Sequence, residues 1–124
     1  MQLSNDQIEA LVTAILAVNR YTIERAWDLL PKLREAGLTD PTSVAEEDIG
    51  KLTVRLASAG YDRGMLTSML AERVQNLMRA VVAGKVDGLV GAAARHDKQA
   101  AVEILCQVKG IGPQVAESAW LLLQ

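Results

Sequence analysis

Apolar residues recur along this chain at one spacing only, the three-to-four-residue interval of an α-helix. The stretch NDQIEALVTAIL sets Ile8, Leu11, Val12 and Ile15 on one face, and Ser4 with Gln7 three residues on reads as a capping box at its start. A second helix from about Thr22 presents Ile23, Ala26, Trp27, Leu30 and Leu33 and stops at Gly37; Pro31 inside it predicts a kink or two short helices. Asp40-Pro41 reads as an N-cap and first-turn proline opening a short helix. Glu46, Glu47 and Asp48 fall at the start of the next, whose apolar side is Ile49, Leu52 and Leu56 and whose end is Gly60.

The longest pattern runs from about Arg63 to Ala83, with Leu66, Leu70, Val74, Leu77 and Val81 as its buried stripe and Gly84 closing it. A weaker helix covers roughly Asp87 to Arg95, and a last pair spans about Lys98–Val108 and Pro113–Leu123. No segment alternates with period two and no Asn-Gly hairpin signal occurs, which argues against a sheet. The expectation is a single all-α domain over residues 1–124, an orthogonal packing of seven or eight short helices.

With 124 residues, half of them hydrophobic, the chain has enough length for a core of its own. No run approaches the roughly 20 apolar residues that span a bilayer. The N-terminus has no basic leader and opens directly on a helix signal, so no membrane or secretory role is expected. A single cysteine, Cys106, rules out an internal disulfide framework and suits a reducing cytoplasm. One Cys and one His, His96, give no ligand pairs at metal spacing. The net charge of −2 argues against a large electrostatic footprint on nucleic acid, though backbone amides can hold a phosphate without any lysine.

The segment with the most chemistry is VKGIGPQVA, residues 108–116. Gly110 follows an apolar helix where a left-handed residue commonly ends it, and Gly112 precedes Pro113, a helix-starting proline. Two helices thus meet through a very short turn, a hairpin at about 98–123, with Ile111 turned inward to staple them. The amides of Gly110, Gly112 and the first turn after Pro113 have no helical acceptor, and at a positive helix end they form an anion site. The same glycines would also serve a turn with no ligand at all.

This hairpin resembles the helix-hairpin-helix of the DNA glycosylases related to endonuclease III, whose usual form is Leu-Pro-Gly-(Val/Ile)-Gly-x-x-Thr-Ala. Upstream, AILAVNRYTIERAWDLL is similar to the family's early helix and turn. LASAGYDRGMLTSMLAERVQNL is similar to its Ile-x-x-x-Gly-(Tyr/Leu)-x-x-x-Lys-Ala segment. The match runs from about Ile8 to the C-terminus and implies the family's six-helix domain. Family lyases carry a Schiff-base lysine two residues after the second glycine, where this chain has Gln114; Lys109 lies on the other side of the turn. The family's catalytic aspartate and iron–sulfur cysteines lie beyond the hairpin's second helix, and the sequence ends at Gln124. The resemblance therefore implies no glycosylase or lyase activity and no iron–sulfur cluster, with the phosphate-gripping half retained.

On this reading the chain binds DNA without sequence preference through Gly110, Ile111, Gly112 and Gln114, assisted by Lys109, in a role related to DNA repair. Asn19, Arg20 and Arg63 fall on loops that lie near DNA in the family, and Asn19 matches the position of a gap-filling Gln. The resemblance also implies a monovalent cation, K+ or Na+, at the hairpin's main-chain carbonyls, with no metal held by side chains. Trp27 and Trp120 sit at core spacing, Tyr61 reads as a loop anchor, His96 as a solvated residue before a cap at Asp97, and Cys106 as an inert apolar helix position.

Two other classes stand beside the DNA reading. One is a protein-interaction or homodimerisation module that kept the fold, to which the acidic balance and the apolar C-terminal AWLLLQ would belong. The other is half of an enzyme completed by a partner subunit, which requires a deep pocket lined by a carboxylate.

Overall fold

In the computed structural model, which describes residues 2–124, the chain begins with α1 (Asn5–Leu16). The Ser4 hydroxyl accepts from the Gln7 amide at 3.1 Å, and the Gln7 side chain accepts from the Ser4 amide at 2.9 Å, closing the capping box. Every residue from Ile8 to Leu16 is buried, so beyond its exposed first turn α1 has no solvent face and forms the centre of the core. Burial reaches two polar residues. The Thr13 hydroxyl donates to the Glu9 carbonyl at 2.8 Å, and the Glu9 carboxylate takes a two-pronged ion pair from Arg34 at 2.6 and 2.8 Å.

Seven further helices follow: α2 (Ile23–Glu35), α3 (Pro41–Glu46), α4 (Ile49–Ser58), α5 (Leu66–Val82), α6 (Gly88–Ala94), α7 (Lys98–Cys106) and α8 (Pro113–Leu122). No strand occurs among the described residues. Helix α1 packs against α2, α5 and α8; α5 carries α3 and α4 on its flank; α6, α7 and α8 succeed one another as neighbours. Among the described residues the fold is therefore all-α with eight helices.

Helix starts and stops lie close to the expected positions. Thr22, Asp48 and Asp97 each accept a hydrogen bond from a first-turn amide of the helix they precede. Gly37, Gly60 and Gly84 end α2, α4 and α5, and His96 takes the same left-handed conformation after α6, at φ 55°. His96 is exposed, as its place before Asp97 suggested.

Several expectations are corrected. Pro31 does not split α2, which is one helix of 13 residues. Trp27 is half exposed: α2 buries the line Ala26, Leu30 and Leu33, and Trp27 stands one residue off it on the outer side, with the exposed Pro31. Cys106 is exposed for the same geometric reason, because Ala101, Leu105 and Val108 form the buried line of α7 and its exit. Ile49 is also largely outside, while Leu52 and Leu56 are buried. Glu46 closes α3 and does not open α4; Asp48 does the capping. Trp120 is buried, Leu122 and Leu123 pack on the core, and Leu121 alone of the C-terminal leucines is exposed.

The end of α1 is closed from a distance. The Tyr61 hydroxyl, fully buried, donates to the Leu16 carbonyl at 2.7 Å. Burial raises the Tyr61 phenol above its ordinary pKa, with the Arg63 hydrogen bond opposing. Tyr61→Phe leaves a buried carbonyl unpaired, and we expect a loss of about 1–3 kcal/mol in denaturant unfolding. Since the raised pKa favours the protonated phenol in the folded state, the wild type's margin over the variant should hold up to about pH 10 and shrink above it.

Candidate nucleic-acid interface

Helices α7 and α8 meet through residues 107–112. The Ile111 amide donates to the Val108 carbonyl at 3.1 Å, and both side chains are buried, so the turn is stapled inward as its sequence suggested. Gly110 adopts φ +95°, a conformation that L side chains rarely take. The aliphatic stem of Arg73, from α5, lies over it: a Cβ on Gly110 would meet Arg73 Cγ at 2.7 Å. Ala116, fully buried on α8, donates its amide to the Gly112 carbonyl at 3.0 Å, the first hydrogen bond of that helix.

Gly112 is different. Its backbone is extended, at φ −96° and ψ −179°, which any residue adopts, and a Cβ there would meet nothing within 4 Å. The fold gives no steric reason for glycine at this position. Ser4, Thr22, Asp48 and Asp97 cap α1, α2, α4 and α7 with a side-chain oxygen, whereas α8, like α3, α5 and α6, has no side-chain cap. Among the described residues, the amides of Gly110, Gly112, Gln114 and Val115 meet no acceptor. They lie at the positive end of a ten-residue helix.

These groups border an open cleft of about 630 Å³. Gly110, Gly112, Pro113 and Gln114 from the hairpin line it together with Ala17, Val18 and Asn19, from the turn after α1, and Arg73 from α5. No carboxylate lines it. Asn19 and Arg20 both have left-handed backbones, at φ 53° and 73°. Two successive non-glycine residues in that region need external support. Arg63 supplies it, donating to the Val18 carbonyl at 2.7 Å and the Asn19 carbonyl at 2.5 Å. Its guanidinium also lies over the rings of Tyr21 and Tyr61, which themselves meet edge to face at 4.8 Å.

The residues singled out in the sequence therefore separate into distinct places. Gly110, Gly112, Gln114 and Asn19 share the cleft. Ile111 is buried beneath it and offers its backbone alone, with its amide already committed to Val108. Arg63 holds the Asn19 turn in place, which gives it a positioning role distinct from the phosphate contact considered from sequence. Arg20 is exposed but does not line the cleft, and Lys109 lines a separate groove behind the turn. Arg73 belongs to the cleft and carried no signal in the sequence, since only the fold shows which turn crosses it. Among the described residues, no three His, Cys, Asp or Glu side chains gather at metal-binding distance, and no helix is long and apolar enough to cross a membrane.

The two glycines should respond in opposite ways. Gly110→Ala forces a Cβ into both a left-handed backbone and the Arg73 stem, and we expect a loss of about 1–3 kcal/mol. Gly112→Asp adds a capping carboxylate to α8 in open space, and unfolding should show equal or higher stability, by up to about 1 kcal/mol.

Compared with known proteins, the chain matches no family model, no curated protein and no solved structure.

Proposed function

We propose that the α7–α8 hairpin grips the phosphate backbone of DNA without reading its sequence, in a role associated with DNA repair, as the resemblance to the endonuclease III-related glycosylases implies. The observation that carries this reading is Gly112. At a position where the fold tolerates a side chain and a cap would stabilise α8, the chain keeps neither, and free amides face an open cleft. Amides specify a phosphate oxygen by geometry and carry no base information, which suits binding indifferent to sequence.

Arg73 adds one positive charge to the cleft, while Lys109, Arg20 and Arg63 do not join it. The contact thus neutralises few phosphates, and its salt dependence should be shallow, a slope of about −1 to −2 in log K against log salt. The carbonyls of Gly110 and Ile111 accept no hydrogen bond among the described residues and are the ones left to meet a K+ or Na+ of the kind the resemblance implies. The exposed thiol of Cys106, the one cysteine of the chain, fits a cytoplasmic setting.

An interaction or dimerisation module is the second reading. It draws on the dispersal of the cations and on the exposure of Trp27 and Leu121. Completion into an enzyme by a partner has less support, since it calls for a carboxylate in a deep pocket and the cleft is open and lined by none.

Fluorescence anisotropy with duplex DNA, intact and abasic, tests the reading across salt concentrations. Wild type should bind at low salt with a shallow slope, and Gly112→Asp should lose binding by about tenfold or more while remaining folded. Absence of binding by folded wild type at low salt would exclude the DNA reading in favour of the interaction module.

A further inference from the structure

The back of the hairpin turn faces a second groove, of about 590 Å³, which the proposed DNA grip does not use. Arg79, Lys85 and Lys109 line it over an aliphatic floor that includes Val86, Ile104 and Val108, and no carboxylate is present in the lining. In a chain with 15 acidic and 13 basic residues, three cations in one groove without an acid is a local excess of charge. The ion pairs among the described residues are Arg34–Glu9, Arg55–Glu47, Arg95–Asp97 and Lys98–Glu117, none of which involves these three.

Two details make the arrangement more than a solvated patch. Arg79 is anchored, its Nε donating to the Ala45 carbonyl at 3.1 Å, which leaves its terminal amino groups without a protein partner among the described residues. The nearest carboxylate in sequence to Lys85, Asp87, forms no ion pair with it among the described residues; its Oδ2 lies 3.3 Å from where a Cβ on Gly84 would be, and its Oδ1 is buried without a partner. The negative C-terminal ends of α5 and α7 explain how such charges can gather without ion pairs. They do not supply the anionic groups that three forked or pointed donors can bind.

We infer that this groove is a second phosphate-binding site, taking a chain of linked phosphates across Arg79, Lys85 and Lys109. Its volume lies in the range of small-ligand pockets, and its aliphatic floor accepts the organic part of a phosphorylated molecule. The same chemistry is offered by the phosphates of a free nucleoside triphosphate and by a nucleic-acid backbone. The site stands on its own residues and does not rest on the grip at Gly112. It does touch the same turn: the Lys109 carbonyl accepts from Asn76 Nδ2 at 3.3 Å, tying the hairpin to α5 beside the groove.

Two-dimensional amide NMR titrations with tripolyphosphate, ATP and a short duplex decide the matter, using wild type, Lys85→Glu and Gly112→Asp. In wild type, at least one of the three probes should move the amides of residues 79–86 and 104–109 saturably, with affinity falling on the order of tenfold in Lys85→Glu. Shifts with tripolyphosphate and ATP assign a free phosphorylated ligand; shifts with duplex alone assign the nucleic-acid backbone. Either supports the site. Gly112→Asp should abolish shifts at residues 112–115 and leave those at the rear groove, which separates failure of one site from failure of the other. The inference is overturned if no probe moves the rear amides, or if Lys85→Glu responds as wild type does. Lys85 is exposed, so its variant should keep the folded spectrum.

Discussion

A helix whose last turns are buried on every side cannot leave its end carbonyls to water, and α1 is such a helix. Its last carbonyl, and two in the turn that follows, accept from side chains that arrive more than 40 residues later, Tyr61 at Leu16 and Arg63 at Val18 and Asn19. The next two helices end in the same manner. Arg55 donates to the Ala36 carbonyl after α2, and Gln75 reaches Val44 and Glu47 at the end of α3, where Arg79 meets Ala45. The first third of the chain is thus fastened to α4 and α5 by polar contacts as well as by the core. These bonds fix the direction in which each connecting turn leaves its helix, which packing alone would leave loose.

Against that background, the amide end of α8 combines two features: it lacks a side-chain cap, as do α3, α5 and α6, and it borders an open cleft. A chain that closes the carbonyl ends of α1, α2 and α3, and caps four helix starts with side-chain oxygens, leaves the start of α8 open. The opening faces the Asn19 turn, which is held in a costly backbone conformation by Arg63. Both sides of the cleft therefore carry features that stability by itself does not ask for. The conjunction of an uncapped helix and a supported left-handed turn across one cleft gives the region its interest.

What could be read in the sequence follows from how local each determinant is. Caps and stops depend on residues within one turn of each other, so Ser4 with Gln7, Asp97 and the terminal glycines were legible, as was the inward staple of Ile111. Which flank of a helical stripe faces inward depends on the partner helix. Trp27 shows this: the periodicity admits it beside Ala26 and Leu30, and the packing of α2 leaves it outside. The continuity of α2 through Pro31 is of the same kind, since propensity argued for a break and the packed helix did not take one. Arg73 and Asn76 were not legible at all. They act on a turn more than 30 residues away, through a methylene stem against Gly110 and an amide against the Lys109 carbonyl.

The charge distribution limits how the hairpin can work. With a net charge of −2, the protein exerts no long-range attraction on a polyanion, and the cleft has Arg73 as its one cation. Whatever affinity the cleft has must come at contact distance, from amides whose positions are set by the Gly110 turn and the Val108–Ile111 hydrogen bond. Such donors reward correct geometry and lose little to salt, unlike a lysine-rich surface. The cations proposed to act at the rear are the opposite kind of arrangement, pointed or forked charges over an aliphatic floor. One six-residue turn therefore separates two proposed ways of holding a phosphate: backbone amides with little charge in front, charged side chains behind.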